Sequence, residues 1–81
     1  MMIWIKLFAA AKQRAGTAAT SFALPEGATV ADLRREIAKE YPALGELLPH
    51  CRIAVNCDFA SDDLVLNETQ EIGVIPPVSG G

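Results

Sequence analysis

One amphipathic helical stripe stands in the middle of this chain. Val30, Leu33, Ile37 and Tyr41 recur at helical spacing, and Arg34, Arg35, Glu36, Lys39 and Glu40 take the remaining positions. On both sides of it the apolar period is two, the mark of half-buried strands. A chain of 81 residues is one small domain with one core. The simplest place for that stripe is against a sheet, as the packing face of the helix.

The flanking patterns fill in that sheet. Ile3, Ile5, Leu7 and Ala9 alternate with Trp4, Lys6, Phe8 and Ala10, which predicts a first strand with its aliphatic row buried and Trp4 and Phe8 on the other face. Ala9 to Arg14 reads as a short helical turn stopped by Gly16. Thr20 to Leu24 is a second strand, with Thr20, Phe22 and Leu24 on one face, broken by Pro25-Glu26-Gly27. The two strands make a hairpin with an enlarged loop. Thr29 caps the main helix, and Asp32 three residues on forms a short-armed capping box. Pro42 ends that helix. Leu44, Leu47 and Leu48 form one more turn that lids the core.

Arg52 to Asn56 is a third strand with Ile53 and Val55 inward, and Phe59 follows in an irregular stretch. Leu64 to Leu66 reads as a brief strand. Glu71 to Ile75 is the last strand, with Ile72 and Val74 inward and Gly73 and Ile75 outward. The order is two strands, a helix, two or three strands and a tail. That is the order of an α+β fold of the ubiquitin-like β-grasp type, a mixed sheet crossed by one main helix, with the last strand expected parallel to the first. The division expected is a β-grasp domain over residues 1–76 and a flexible reactive tail over 77–81.

Charge narrows the partners. The net charge is −3, and all seven Lys and Arg lie at or before Arg52, whereas Asp58, Asp62, Asp63, Glu68 and Glu71 follow it. Nucleic-acid binding needs clustered cations and is disfavoured. A basic partner surface near the C-terminal half is favoured. No apolar run approaches the ~20 residues of a membrane span, so no membrane role and a cytoplasmic setting are expected. Cys51 and Cys57 have no metal-ligand spacing, and His50 is the single histidine and reads as a surface residue. On one strand the two thiols would stand ~20 Å apart, too far to bridge. They share the parity of Ile53 and Val55, so both are expected to be reduced and in the core.

No nucleophile–histidine pattern, metal cluster or glycine-rich phosphate loop is present, so the chain carries no catalytic machinery of its own. The chemistry then falls to the terminal carboxylate of Ser79-Gly80-Gly81. Two glycines put no side chain beside it, so it can be threaded down a narrow channel and attacked. Pro76 and Pro77 stiffen the base of the tail and lower the ordering cost of insertion. The stretch from Ile75 to Gly81 reaches at most ~20 Å. A carboxylate must be activated, typically by adenylation, before a nucleophile can convert it to an ester, amide or thiocarboxylate.

Ile5-Lys6-Leu7-Phe8-Ala9, Gly16-Thr17, Val55-Asn56 and above all Glu71-Ile72-Gly73-Val74-Ile75-Pro76-Pro77-Val78-Ser79-Gly80-Gly81 resemble the small, sulfur-carrying subunit of molybdopterin synthase. The resemblance covers essentially the whole chain, and Pro-Pro-Val-Ser-Gly-Gly is its most specific part. It implies that an E1-like enzyme uses ATP to adenylate Gly81. A sulfurtransferase or persulfide donor then makes the thiocarboxylate, and residues 76–81 insert into the large catalytic subunit. There the sulfur goes to cyclic pyranopterin monophosphate, building the molybdopterin dithiolene. It further implies a heterotetramer, no bound cofactor or metal, and an apolar partner interface at Phe8, Phe59 and Ile75. A thiamine-thiazole sulfur carrier, a ubiquitin-like protein modifier or tRNA-thiolation carrier, and a bare interaction module stay open as alternatives.

Overall fold

The computed structural model describes residues 1–77; Val78, Ser79, Gly80 and Gly81 lie outside the described residues. Its elements in chain order are β1 (Met2–Leu7), α1 (Ala9–Ala15), β2 (Ala19–Ala23), α2 (Val30–Glu40), β3 (Arg52–Val55), β4 (Asp58–Phe59) and β5 (Ile72–Ile75). Single 3-10 turns at Pro42–Leu44 and Leu48–His50 come after α2, two where the sequence predicts one. The strands form one sheet in the order β2-β1-β5-β3-β4. β5 is parallel to β1, pairing Ile5 with Ile72 and Leu7 with Val74, and every other pairing is antiparallel. The last strand thus lies beside the first, as the order of elements predicts.

Strand alternation builds the core. Ile3, Ile5 and Leu7 on β1, Phe22 on β2, Ile53 and Val55 on β3, and Ile72 and Val74 on β5 all face inward and are buried. Against them lie Val30, Leu33 and Ile37, the stripe of α2, with Leu44 and Leu48 from the turns beyond it. Each such aliphatic side chain, fully buried, contributes about 1.5–3 kcal/mol of transfer free energy. Tyr41 closes one end of the stripe: its hydroxyl donates to Thr20 Oγ1 at 2.9 Å, and its ring meets Phe22 edge-on at 6.2 Å.

The ends of the helices are set by local chemistry. The Thr29 N–H donates to Asp32 Oδ2 at 2.9 Å, and the Asp32 N–H returns a bond to Thr29 Oγ1 at 3.3 Å, so the capping box is complete. Those bonds from Thr29, aided by Arg35, hold the Asp32 carboxyl below its ordinary pKa. Gly16 ends α1 in the left-handed region, at φ 75°, which a residue without Cβ adopts freely. Arg34 ties α2 to the turns and the acidic loop beyond it. Its guanidinium donates to Asp62 Oδ1, Leu48 O and Cys51 O at 2.9, 2.8 and 2.9 Å, so that Leu48 O, which also accepts the Cys51 N–H of the 3-10 turn, takes a second bond.

The structure corrects the sequence reading in four places. Cys51 is buried, but Cys57 is exposed. β3 stops at Val55, and Asn56 and Cys57 form the two-residue loop of a tight hairpin, at φ 51° and 70°. Positive φ at both positions is what a type I′ turn requires, and it removes Cys57 from the strand's alternation. The turn folds the chain back, so Phe59 belongs to β4, paired with Ala54, and not to an irregular stretch. Ala9 does not extend the buried row of β1. It turns at φ 48° into α1 and is exposed, because Leu7 is the last residue of the strand. Leu64–Leu66 makes only a single bridge, Thr29 to Val65.

Candidate functional site

The sheet has a second face, and α2 covers only the first. Residues of opposite parity to the core point to it: Trp4 and Lys6 from β1, Gly73 and Ile75 from β5, Arg52 and Ala54 from β3, and Phe59 from β4. Register aligns Lys6, Gly73, Ala54 and Phe59 in one row across four strands. Trp4 is 63 % exposed, Phe59 61 % and Phe8 47 %, so three large aromatic side chains lie on the surface of a small domain. Surface apolar residues scattered singly are ordinary; three large aromatics on one sheet face point to a contact surface.

Phe8 reaches this face from just past the end of β1. Its N–H donates to Val74 O at 3.4 Å, docking the start of α1 beside β5. Its ring lies over Gly73, where an added Cβ would stand 3.0 Å from Phe8 Cε2. The glycine is thus what lets the ring approach β5 so closely. Ile75 follows Val74 on the neighbouring strand, and the parallel register places it beside Phe8. Lys6, Phe8, Ala54, Gly73 and Ile75 line a shallow hollow of about 210 Å³ there. Phe59 stands farther along the row, with the Arg52 guanidinium 4.7 Å from its ring centroid. This cation–π contact steadies an aromatic that is otherwise largely exposed.

The hollow lies where β5 releases the chain. Pro76 continues the inward parity of Ile72 and Val74 and is buried, so the domain holds it; Pro77 is the first exposed residue beyond. The four remaining residues expected to carry the chemistry, Val78, Ser79, Gly80 and Gly81, lie outside the described residues. Phe8 and Ile75 are brought together, and Phe59 shares their face across β3. Trp4 stands on this same face, as the alternation along β1 predicts. Sequence reasoning missed the use of Gly73, whose signal was a glycine inside an otherwise β-branched strand.

A larger hollow of about 460 Å³ lies between α2 and the 3-10 turns, lined by Arg34, Arg35, Leu48, Pro49 and Asp62 among others. The Arg34 guanidinium is already committed to three fold-holding bonds, and Arg35 pairs with Asp32, so neither cation stands free to receive a ligand. Burial raises the pKa of the Cys51 thiol, with Arg34 opposing, so this sulfur stays protonated and unreactive inside the domain. Among the described residues no three His, Cys, Asp or Glu side chains converge as a metal site, and no helix is long and apolar enough to cross a membrane.

A five-stranded mixed sheet with a parallel central pair and one helix across its inner face defines a ubiquitin-like β-grasp protein. The chain belongs to the ThiS family, whose model matches residues 5–81. It is 34 % identical over 83 residues to the molybdopterin synthase sulfur carrier subunit of Chlamydomonas reinhardtii, covering 100 % of both chains. It is similar in structure to the small archaeal modifier protein SAMP1 of Haloferax volcanii, with a TM-score of 0.88 and 26 % identity over 100 % of both chains. A chain from the complex of subunits 1 and 2 of the molybdopterin-converting factor of Helicobacter pylori also matches, with a TM-score of 0.70 and 26 % identity over 100 % of both.

Proposed function

We propose that this protein is the sulfur carrier of a molybdopterin synthase and that the Gly81 carboxylate is its working group. The observation that carries the reading is the pairing of β5 with β1. It delivers the chain at Pro77 next to an uncovered apolar face that includes Phe8 and Ile75. A partner bound to that face would find the tail at its surface, ready to be threaded inward. The full-length likeness to named sulfur carrier subunits supports the same reading.

In this reading an E1-like enzyme spends ATP on Gly81. The carboxylate oxygen attacks the α-phosphate, pyrophosphate leaves, and an acyl adenylate forms. The outer sulfur of a persulfide on a sulfurtransferase attacks the acyl carbon and AMP leaves; a second thiol of that donor then attacks the acyl disulfide so formed, the donor is left as a disulfide, and a thiocarboxylate remains on Gly81. The large subunit binds through Phe8, Phe59 and Ile75 and draws in Pro77 to Gly81. The terminal sulfur then passes to cyclic pyranopterin monophosphate, and water regenerates the carboxylate. The chain itself supplies the stiff base and the bare tip; the partner supplies the acid–base groups. The complex of two subunits named for the Helicobacter pylori protein is the pattern for this assembly, and a heterotetramer with a small subunit at each end is its expected form.

Deletion of Gly81 tests the reading. It withdraws the reactive carbon by ~3.5 Å, and misplacement by even ~1 Å can cost about a hundredfold in rate. The truncated chain should melt as the full one does and bind the large subunit, yet form no molybdopterin when activating enzyme, sulfur donor and precursor are supplied. Fluorescence of the oxidised pterin reads the product. Full turnover by the truncated chain would overturn the carrier role. The likeness to a small archaeal modifier protein favours a second reading, conjugation of Gly81 to lysines of other proteins. An isopeptide remnant on lysine, found by mass spectrometry with the activating enzyme present, would select it.

A further inference from the structure

A different surface, at the free edge of β2, is built to take another strand. Among the described residues β2 pairs only with β1. Met1 and Leu24 exchange bonds of 2.7 and 2.9 Å, and the Leu7 N–H donates to Ala18 O at 2.8 Å. Bonded and non-bonded pairs alternate along an antiparallel ladder. Thr20 and Phe22 therefore turn their main-chain groups toward β1, while Ala19, Ser21 and Ala23 turn theirs to the open edge. Ala19 is closed off locally: the Thr17 hydroxyl donates to its carbonyl at 2.8 Å and accepts its N–H at 3.4 Å. Ser21 and Ala23 keep their N–H and C=O groups facing outward.

Exposed edges are ordinarily blunted by charge, proline or a bulge. β2, Ala-Thr-Ser-Phe-Ala, carries no charge and no proline. Beside it, between β2 and α2, runs a groove of about 290 Å³ lined by Thr20, Phe22, Tyr41, Glu36 and Glu40. Glu36 and Glu40 stand one helical turn apart on α2 and take part in neither ion pair found among the described residues. An open ladder and an acidic wall thus lie side by side.

We propose that this edge docks an extended, basic segment of a partner protein, added to the sheet next to β2. Its main chain would bond to Ser21 and Ala23, and every second side chain, Lys or Arg, would enter the groove against Glu36 and Glu40. Charge selects this occupant. A second copy pairing through its own β2 would bring no cation, since residues 19–23 hold none, and would set two acidic walls near one another. The acidic wall repels nucleic acid as well. The surface is separate from the Phe8–Ile75 hollow, so the proposal stands whether or not the carrier reading does.

The test is a titration of the 15N-labelled full chain with two capped synthetic peptides, Val-Lys-Val-Lys-Val and Val-Glu-Val-Glu-Val. The Lys peptide should shift the Ser21 and Ala23 amides and the Glu36–Glu40 turn of α2, saturably and more weakly at high salt. The Glu peptide should not. Ser21→Pro removes an N–H that the β1 ladder does not use, and it should abolish the shifts while the amides of β1 stay in place. Should that variant misfold, the double variant Glu36→Gln/Glu40→Gln, altered only at the surface, should weaken the Lys peptide about threefold or more. Equal response to both peptides, shifts centred on Phe8, or concentration-dependent broadening of Ser21 and Ala23 without peptide would each overturn the proposal.

Discussion

The two faces of the sheet are made by the same strands and do opposite things. On the inner face Ile3, Ile5, Ile53 and Val74 are each at most 1 % exposed and hold the fold. On the outer face Trp4, Phe8, Phe59 and Ile75 stay partly or largely in water. Along β1, β3 and β5 period-two geometry makes this division, because successive side chains of a strand leave on opposite sides. The lesson is that stability and recognition are separable here, residue by residue. The outer face can carry aromatic side chains chosen for a partner because the inner face and α2 already bury enough to fold.

Substitutions on the two faces should therefore break different things. The largest effect is expected from Ile5→Ala, at the centre of the inner face. Loss of a buried aliphatic chain costs about 2–5 kcal/mol, visible as a fall in the urea midpoint. A loss below about 1 kcal/mol would mean that the inner face is not the one that holds the fold. Phe8→Ala should do the reverse. Stability should change by less than about 1 kcal/mol, as for most exposed sites. Binding to the large subunit should weaken by about 2 kcal/mol or more, the size of an interface anchor. Calorimetry that finds unchanged affinity would remove Phe8 from the proposed interface.

Smaller effects sharpen the picture at the edges of the core. Thr29→Ala breaks the capping box and should cost about 1 kcal/mol. The Asp32 carboxyl has its pKa lowered by folding. Its contribution is thus complete above its ordinary value and is lost as pH falls through the lowered, folded value. Thr29→Ala should flatten the acid limb of stability against pH in that window, and an unchanged limb would mean that the cap is not its source. The smallest effect concerns the cysteines. Cys57→Ser should leave stability within about 0.5 kcal/mol, as at other surface positions. A thiol reagent should label Cys57 at once and Cys51 only on unfolding. Equal labelling rates in the folded chain would contradict the burial of Cys51.

Much of this molecule was legible before its structure. The stripe Val30, Leu33, Ile37 on α2, the row Ile3, Ile5, Leu7 on β1 and the capping pair Thr29 and Asp32 are local patterns, fixed by helix and strand periods and by the reach of one side chain. The outward direction of Phe8 and Ile75 came from the same alternation.

What the structure alone decided depends on contacts between distant segments or on a sharp local choice of backbone. Alternation continued through Asn56 would have buried Cys57; a turn with positive φ at both positions ended the strand first and made Phe59 part of β4. No local pattern tells that Lys6, Gly73, Ala54 and Phe59 stand in one row, since register is a long-range property set by how four strands pair. Nor could Arg34 be known from its helix as the clamp on Leu48 and Cys51, residues 14 and 17 positions away along the chain. Side-chain type and spacing say which face of an element is apolar. Only the packing of the elements says which apolar face is covered, and here it left one sheet face open beside the point where the chain leaves the domain.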